Sequence, residues 1–244
     1  MDRAHSVAAD TVADDPRPYR VYLAWFGPGL VKVGITARER GPARLLEQGA
    51  VCFSWLGSGP LMAARRSEEL LRTALRVPDR IPYAQKRAVR AVLPGTAAER
   101  AAEIEGLHGR AVGLGGWPEA LTPEPFRPVD HVRVFGLAGA AGGAVAAGAS
   151  GAPAGGQPFG AAVAGEVIEL VAGGTVSGEL VAAAGPDLHL ATGRGVLVLD
   201  TRLMTGWGLE PADGDERFDV PVRPLRAAPA SGAEAGGVRQ DGLF

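Results

Sequence analysis

Apolar and polar positions alternate most regularly near the start of the chain. In "LVKVGIT", Val31, Val33 and Ile35 alternate with Lys32, Gly34 and Thr36, the period of a half-buried strand. The preceding "YRVYLAWF" is apolar on both faces, as a central strand is. A turn at Gly27-Pro28-Gly29 would join the two as a hairpin, pairing Phe26 with Leu30, Ala24 with Lys32 and Tyr22 with Gly34. That register puts Tyr22, Lys32 and Gly34 on one face, where a one-residue slip would separate them. "GPARLLEQGA" then predicts a short helix opened by Pro42 and closed by Gly49, and "VCFSWLG" predicts a third strand. "PLMAARRSEELLRTAL" reads as a helix with Leu61, Ala64, Glu68, Leu71 and Leu75 on one stripe, a carboxylate among apolar residues. "IPYAQKRAVRAVL" and "TAAERAAEIEGL" predict two further helices, the second exposed.

Beyond "WPEALTPEPFRPVD" the pattern changes. "HVRVFGL" predicts a strand, and a glycine-alanine stretch predicts a flexible loop. "GEVIELV", "GTVSGELVAAA", "DLHLAT" and "GVLVLDTRLM" are short strand patterns with turn residues between them, expected to form a small antiparallel barrel or sandwich that the His131 strand joins. The expected organisation is a polar segment 1–19, a domain 20–92, a helical connector 93–128, a β module 129–210 interrupted by a Gly/Ala-rich loop 138–162, and a disordered tail 211–244. The fold class expected is therefore α+β.

Charge sharpens the picture. The formal net charge of −2 conceals fourteen basic and five acidic residues in 16–92, a local balance of +9. Such a concentrated positive field attracts polyanions, whereas a solvated arginine-rich surface is the plainer explanation. Cys52 stands alone in the chain, which excludes an internal disulfide and a cysteine-based zinc site, and its apolar setting reads as a buried thiol. His5, His108, His131 and His189 show no metal-ligand spacing. No stretch reads as a signal peptide or a membrane span, so a cytoplasmic location without membrane partners is the expectation.

The order of "VYL", "KVGIT", Arg44 on a helix and Glu68 on a longer helix resembles the GIY-YIG endonuclease superfamily, in the branch with lysine in place of the second tyrosine. The resemblance covers residues 20 to about 76. It implies a three-stranded antiparallel sheet flanked by helices and a divalent-metal-dependent cut of nucleic acid. It also implies catalytic roles for Tyr22, Lys32 and Arg44, with Mg²⁺ or Mn²⁺ on Glu68 and Glu69 as an alternative ligand. Gln48 departs from the pattern, standing where many such nucleases carry histidine or tyrosine. "KVGIT", "RLLEQGA" and "GELVAAAGPDLHLATGRGVLVLDTR" resemble a bacterial family, domain of unknown function 2797, built on the same plan. Its longer members begin with a cysteine-rich, zinc-binding segment just upstream of the sequence that "DRAHSVAADT" resembles, so the expectation is an N-terminally shortened member or a start set too late.

The physics permits these roles. Arginine forms a bidentate clamp on phosphate, lysine supplies a point charge, and one carboxylate suffices for an ion that keeps most of its water. Each residue also has a plainer use: a packed tyrosine, a snorkelling lysine, an arginine over a helix-sheet junction, and a Glu68–Arg72 helical ion pair. A non-catalytic nucleic-acid-binding or protein-interaction module on the same scaffold is the competing reading.

Overall fold

The computed structural model describes residues 17–139, 163–212 and 217–224. The acidic N-terminus, most of the glycine-alanine loop and most of the tail lie outside them. The architecture is mixed α+β, with two sheets and four α-helices among the described residues.

The chain opens with β1 (Tyr19–Gly27) and β2 (Leu30–Ala37), an antiparallel hairpin. Tyr22 pairs with Gly34 and Ala24 with Lys32, the register expected from the alternation. The turn differs from the expectation. Gly27, not Phe26, pairs with Leu30, and Phe26 is the extra residue of a bulge. The shift is tied to Gly27, where the Val89 side chain fills the space a Cβ would need. The Glu103 carboxylate then accepts from the Gly29 N–H at 3.1 Å, pinning the turn from outside.

After α1 (Ala43–Glu47) comes β3 (Cys52–Gly59), which pairs antiparallel with β1 and leaves β1 central. Both faces of β1 are accordingly buried. Val21, Leu23 and Trp25 pack with Ala63, Ala64 and Leu71 of α2 (Leu61–Leu75). On the other face Tyr22, Ala24 and Phe26 pack with Leu45 and Ile81. α3 (Tyr83–Val89) follows, then α4 (Ala97–Val112), opened by a Thr96/Glu99 capping box. α4 is not the exposed helix its charges suggest, because Ala101, Ile104 and Ala111 join the α2 side of the core.

Two short strands, β4 (Thr122–Pro123) and β5 (Val129–Asp130), add to β3. "HVRVFGL" is not a strand. The stretch runs as turns, with the His131 N–H donating to Val51 O and the Phe135 carbonyl accepting from the Ala183 N–H. Gly136 has φ +75 and no room for a side chain beside Val181 O, which prevents an extended run.

The second sheet contains β6 (Gly165–Val167), β7 (Glu179–Ala184), β8 (Asp187–Thr192), β9 (Gly195–Asp200) and β10 (Val222–Pro224), in the order β10-β6-β9-β8-β7. It is an open sheet, not a barrel, and the β6–β9 pair is parallel. β10 lies inside the tail expected to be disordered, and β6 stops at Val167, short of the strand that "GEVIELV" suggested. The two sheets share core: Ala182, Ala184 and Val196 belong to the same apolar cluster as Val21 and Trp25. Among the described residues no helix is long and apolar enough to cross a membrane.

Candidate functional site

The face of the first sheet opposite α2 and α4 carries Tyr22, and its position follows from Gly34. The ring lies directly over that glycine, in space that any Cβ at 34 would occupy. Trp55 is its cross-strand partner on β3, with ring centroids 6.1 Å apart and the planes nearly perpendicular. Tyr22 is almost wholly buried, and its hydroxyl accepts a hydrogen bond from Gln48 Nε2 at 3.1 Å. Burial pushes the phenol pKa up, with the Gln48 hydrogen bond and the Arg44 charge opposing.

Lys32 stands two residues before Gly34 on the same face. Its ammonium is 5.8 Å from the Tyr22 ring centroid and donates to Asp79 O at 3.1 Å. Burial first, and then the Arg44 charge, lower its pKa. Asp79 arrives by way of a left-handed residue, Arg76 (φ 55), which ends α2 and sends the chain along the free edge of β2. The Val33 N–H donates to Pro78 O there at 2.9 Å.

Glu68 comes from α2 and is partly buried. Burial and the neighbouring Asp79 charge raise its pKa, against the pull of Lys32, Arg72 and Arg65. Arg44 is half-exposed on α1, 3.4 Å from Glu47, which also takes Arg40 at 2.7 Å. Arg44 and Glu68 both act electrostatically on the Tyr22 hydroxyl and on the Lys32 amine. The four residues singled out in the sequence thus share one electrostatic neighbourhood. Glu69 is exposed, pairs with Arg72 at 3.2 Å and accepts from the Thr73 hydroxyl.

Gln48, Asp79 and Lys86 belong to this neighbourhood and were not singled out as site residues from the sequence. Gln48 replaces the ring that the resemblance called for, and it is the group that reaches Tyr22. Lys86 was visible in one respect only: it is the second of just two lysines in the chain.

For a divalent ion, no group of three His, Cys, Asp or Glu side chains exists among the described residues. The candidate donors are Glu68 and Asp79, whose charge raises the Glu68 pKa. Two neighbouring carboxylates, one with its proton affinity raised by the other, suit a hard cation that retains most of its water shell. Cys52 is buried with its thiol pushed up to about 12, which matches a structural residue.

Comparison with known proteins gives one positive result. A family model described as "Protein of unknown function (DUF2797)" matches residues 2–139. No curated protein and no solved structure matches the chain. The match covers more than half of the chain and spans the first sheet, all four helices and the site, so this chain belongs to the DUF2797 family of proteins of unknown function.

Proposed function

We propose that this chain is a GIY-YIG-like nucleic-acid-binding protein that hydrolyses phosphodiesters with a divalent metal ion. The observation that carries the reading is the shared electrostatic neighbourhood of Tyr22, Lys32, Arg44 and Glu68. Exposed Arg38, Arg40, Arg65, Arg72, Arg76 and Arg80, on α2 and the segments next to β2 and α1, extend it into a positive surface suited to a polyanion.

Arg44 presents a planar pair of donors to a phosphate, and Lys32 adds a compact charge beside it. Tyr22 stays protonated because burial disfavours the phenolate. Its oxygen already accepts from Gln48, so its own O–H is the group left to donate to a water or phosphate oxygen. Glu68 and Asp79 are the residues that would hold Mg²⁺ or Mn²⁺. Such an ion supplies Lewis-acid stabilisation of developing charge and a more acidic water.

A non-catalytic reader on the same scaffold is the second reading. It is favoured by Tyr22 itself, at 1% exposure with its oxygen engaged. The test is incubation of labelled DNA and RNA with the protein and Mg²⁺ or Mn²⁺, wild type against Glu68→Ala. Products from the wild type alone support hydrolysis. Salt-dependent binding without products supports the reader. Neither binding nor products would overturn both and leave a protein-interaction module.

A further inference from the structure

The chain has 25 Lys and Arg residues, of which only Lys32 and Lys86 are lysines, and both lie at this site. Lys86 is on α3, 3% exposed. Its ammonium sits 3.9 Å from the Phe26 ring centroid and 4.4 Å from that of Tyr83, and it donates to Gln48 O at 3.0 Å. Gln48 is the residue whose side chain reaches the Tyr22 hydroxyl. One residue therefore takes hold of Lys86 by its carbonyl and of Tyr22 by its amide.

The turn carrying Gln48 lies against the second sheet. Gly185, between β7 and β8, approaches it so closely that a Cβ there would stand 2.9 Å from Gly49 N and 3.0 Å from Glu47 O. α3 is held against the same sheet. Arg87 donates to Asp187 at 2.6 Å and Asp200 at 2.5 Å and pairs with Glu166 at 3.2 Å. Arg90 donates to Asp187 at 2.5 Å and to Ala184 O at 3.1 Å. Lys86 is thus a rigid post between the second sheet and the Gln48 turn. The Phe26 and Tyr83 ring faces also attract the ammonium between them.

We infer that Lys86 is a positioning residue for Tyr22, acting through Gln48. The inference rests on the proposed role of Tyr22, but its test reads the tyrosine directly and needs no activity. The chain has three tyrosines, Tyr19, Tyr22 and Tyr83, so tyrosine labelled with ¹³C at Cζ gives three resonances. The Tyr22 resonance reports the hydrogen bond to its hydroxyl. Gln48→Leu is expected to shift it. Lys86→Met is expected to shift it the same way, and Lys86→Met added to Gln48→Leu is expected to shift it no further, while Tyr83 still responds. Tyr19, remote from Lys86, checks that the fold is intact.

A Tyr22 resonance indifferent to Lys86→Met, or a double variant whose shift is the sum of the two singles, would overturn the inference. The second result would mean a direct effect of charge. Should Lys86→Met fail to fold, the wild type answers instead. Burial, then the charges of Lys32 and Arg90, lower the Lys86 amine to about 7, with Asp187 opposing and Arg44 adding to the effect. The ¹³Cε resonances of the two lysines, in protein labelled with ¹³C-lysine, locate that titration. A Tyr22 inflection at the same pH supports the coupling, and its absence counts against it. Cleavage and binding of nucleic acid, measured separately on the wild type, decide the proposed function whichever way Tyr22 responds.

Discussion

The Tyr22 ring lies across Gly34, its cross-strand partner, and occupies the space where any other residue at 34 would place its side chain. Gly34→Ala must therefore push the ring off the sheet or part the strands. Overpacking of this kind costs about 1–3 kcal/mol. Denaturant unfolding should show that loss, accompanied by a displaced Tyr22 resonance. Wild-type stability together with an unmoved resonance would contradict this geometry.

Removing Asp187 leaves Arg87 with Asp200 and Glu166 but strands the guanidinium of Arg90, only 1% of whose side chain is exposed. Loss of one partner of a buried ion pair costs about 3–5 kcal/mol. Asp187→Ala is expected to lower the unfolding free energy on that scale. Asp187→Leu combined with Arg90→Met should lose clearly less than the sum of the single changes. Equal additivity would mean that the pair is not coupled.

Acid should loosen the second sheet in two stages. Burial, followed by the Arg90 charge, lowers His189 from an ordinary 6.5 to about 4. Between those values the unfolded chain binds the extra proton, so stability present above pH 6.5 is lost as the pH falls toward 4. Asp200 is lowered to about 2 despite its burial, by hydrogen bonds from Arg202 and Arg87, so a second loss begins below about pH 3.8. Thermal unfolding against pH should show a decline between 6.5 and 4 that His189→Gln flattens. An unchanged slope in that variant would remove His189 as its source.

Polyanion binding, if it runs through the face holding Arg44, should weaken steeply with salt. Each lost phosphate contact reduces the slope of log K against log salt by about 0.7–0.9. Arg44→Ala is expected to show one such step. Arg110→Ala is expected to show none, because Arg110 is exposed on α4, the helix packed against the other face of the first sheet. Equal effects from both would indicate diffuse attraction instead of a site.

Glu68→Gln separates binding from cutting. It removes a negative charge from a positive neighbourhood, so nucleic acid should bind at least as tightly while metal-dependent products disappear. Products that persist would exclude Glu68 as the metal ligand.

The hairpin register was legible because alternation and a single glycine fix which face each residue takes. The bulge at Phe26 was not, since it depends on Val89, which arrives from α3. α4 read as exposed because its buried face is largely alanine, and because the charged Arg100 is satisfied inside by Asp130 and Pro94 O, both at 2.6 Å. "HVRVFGL" alternates like a strand, but Gly136 and the β7 backbone force it to turn. Tyr22, Lys32, Arg44 and Glu68 were expectations carried by the family resemblance. The Lys86–Gln48 contact spans 38 residues and exists only once α3 has docked.

The family match ends at residue 139, yet Arg87 and Arg90 within it find their carboxylates at Glu166, Asp187 and Asp200, beyond that limit. The seam between the matched segment and the second sheet is written in charge as well as in shape. A chimera that grafted a foreign sheet onto residues 17–139 would inherit two unanswered arginines unless the graft brought acids to meet them. The two parts of this chain are therefore exchangeable only as a matched set.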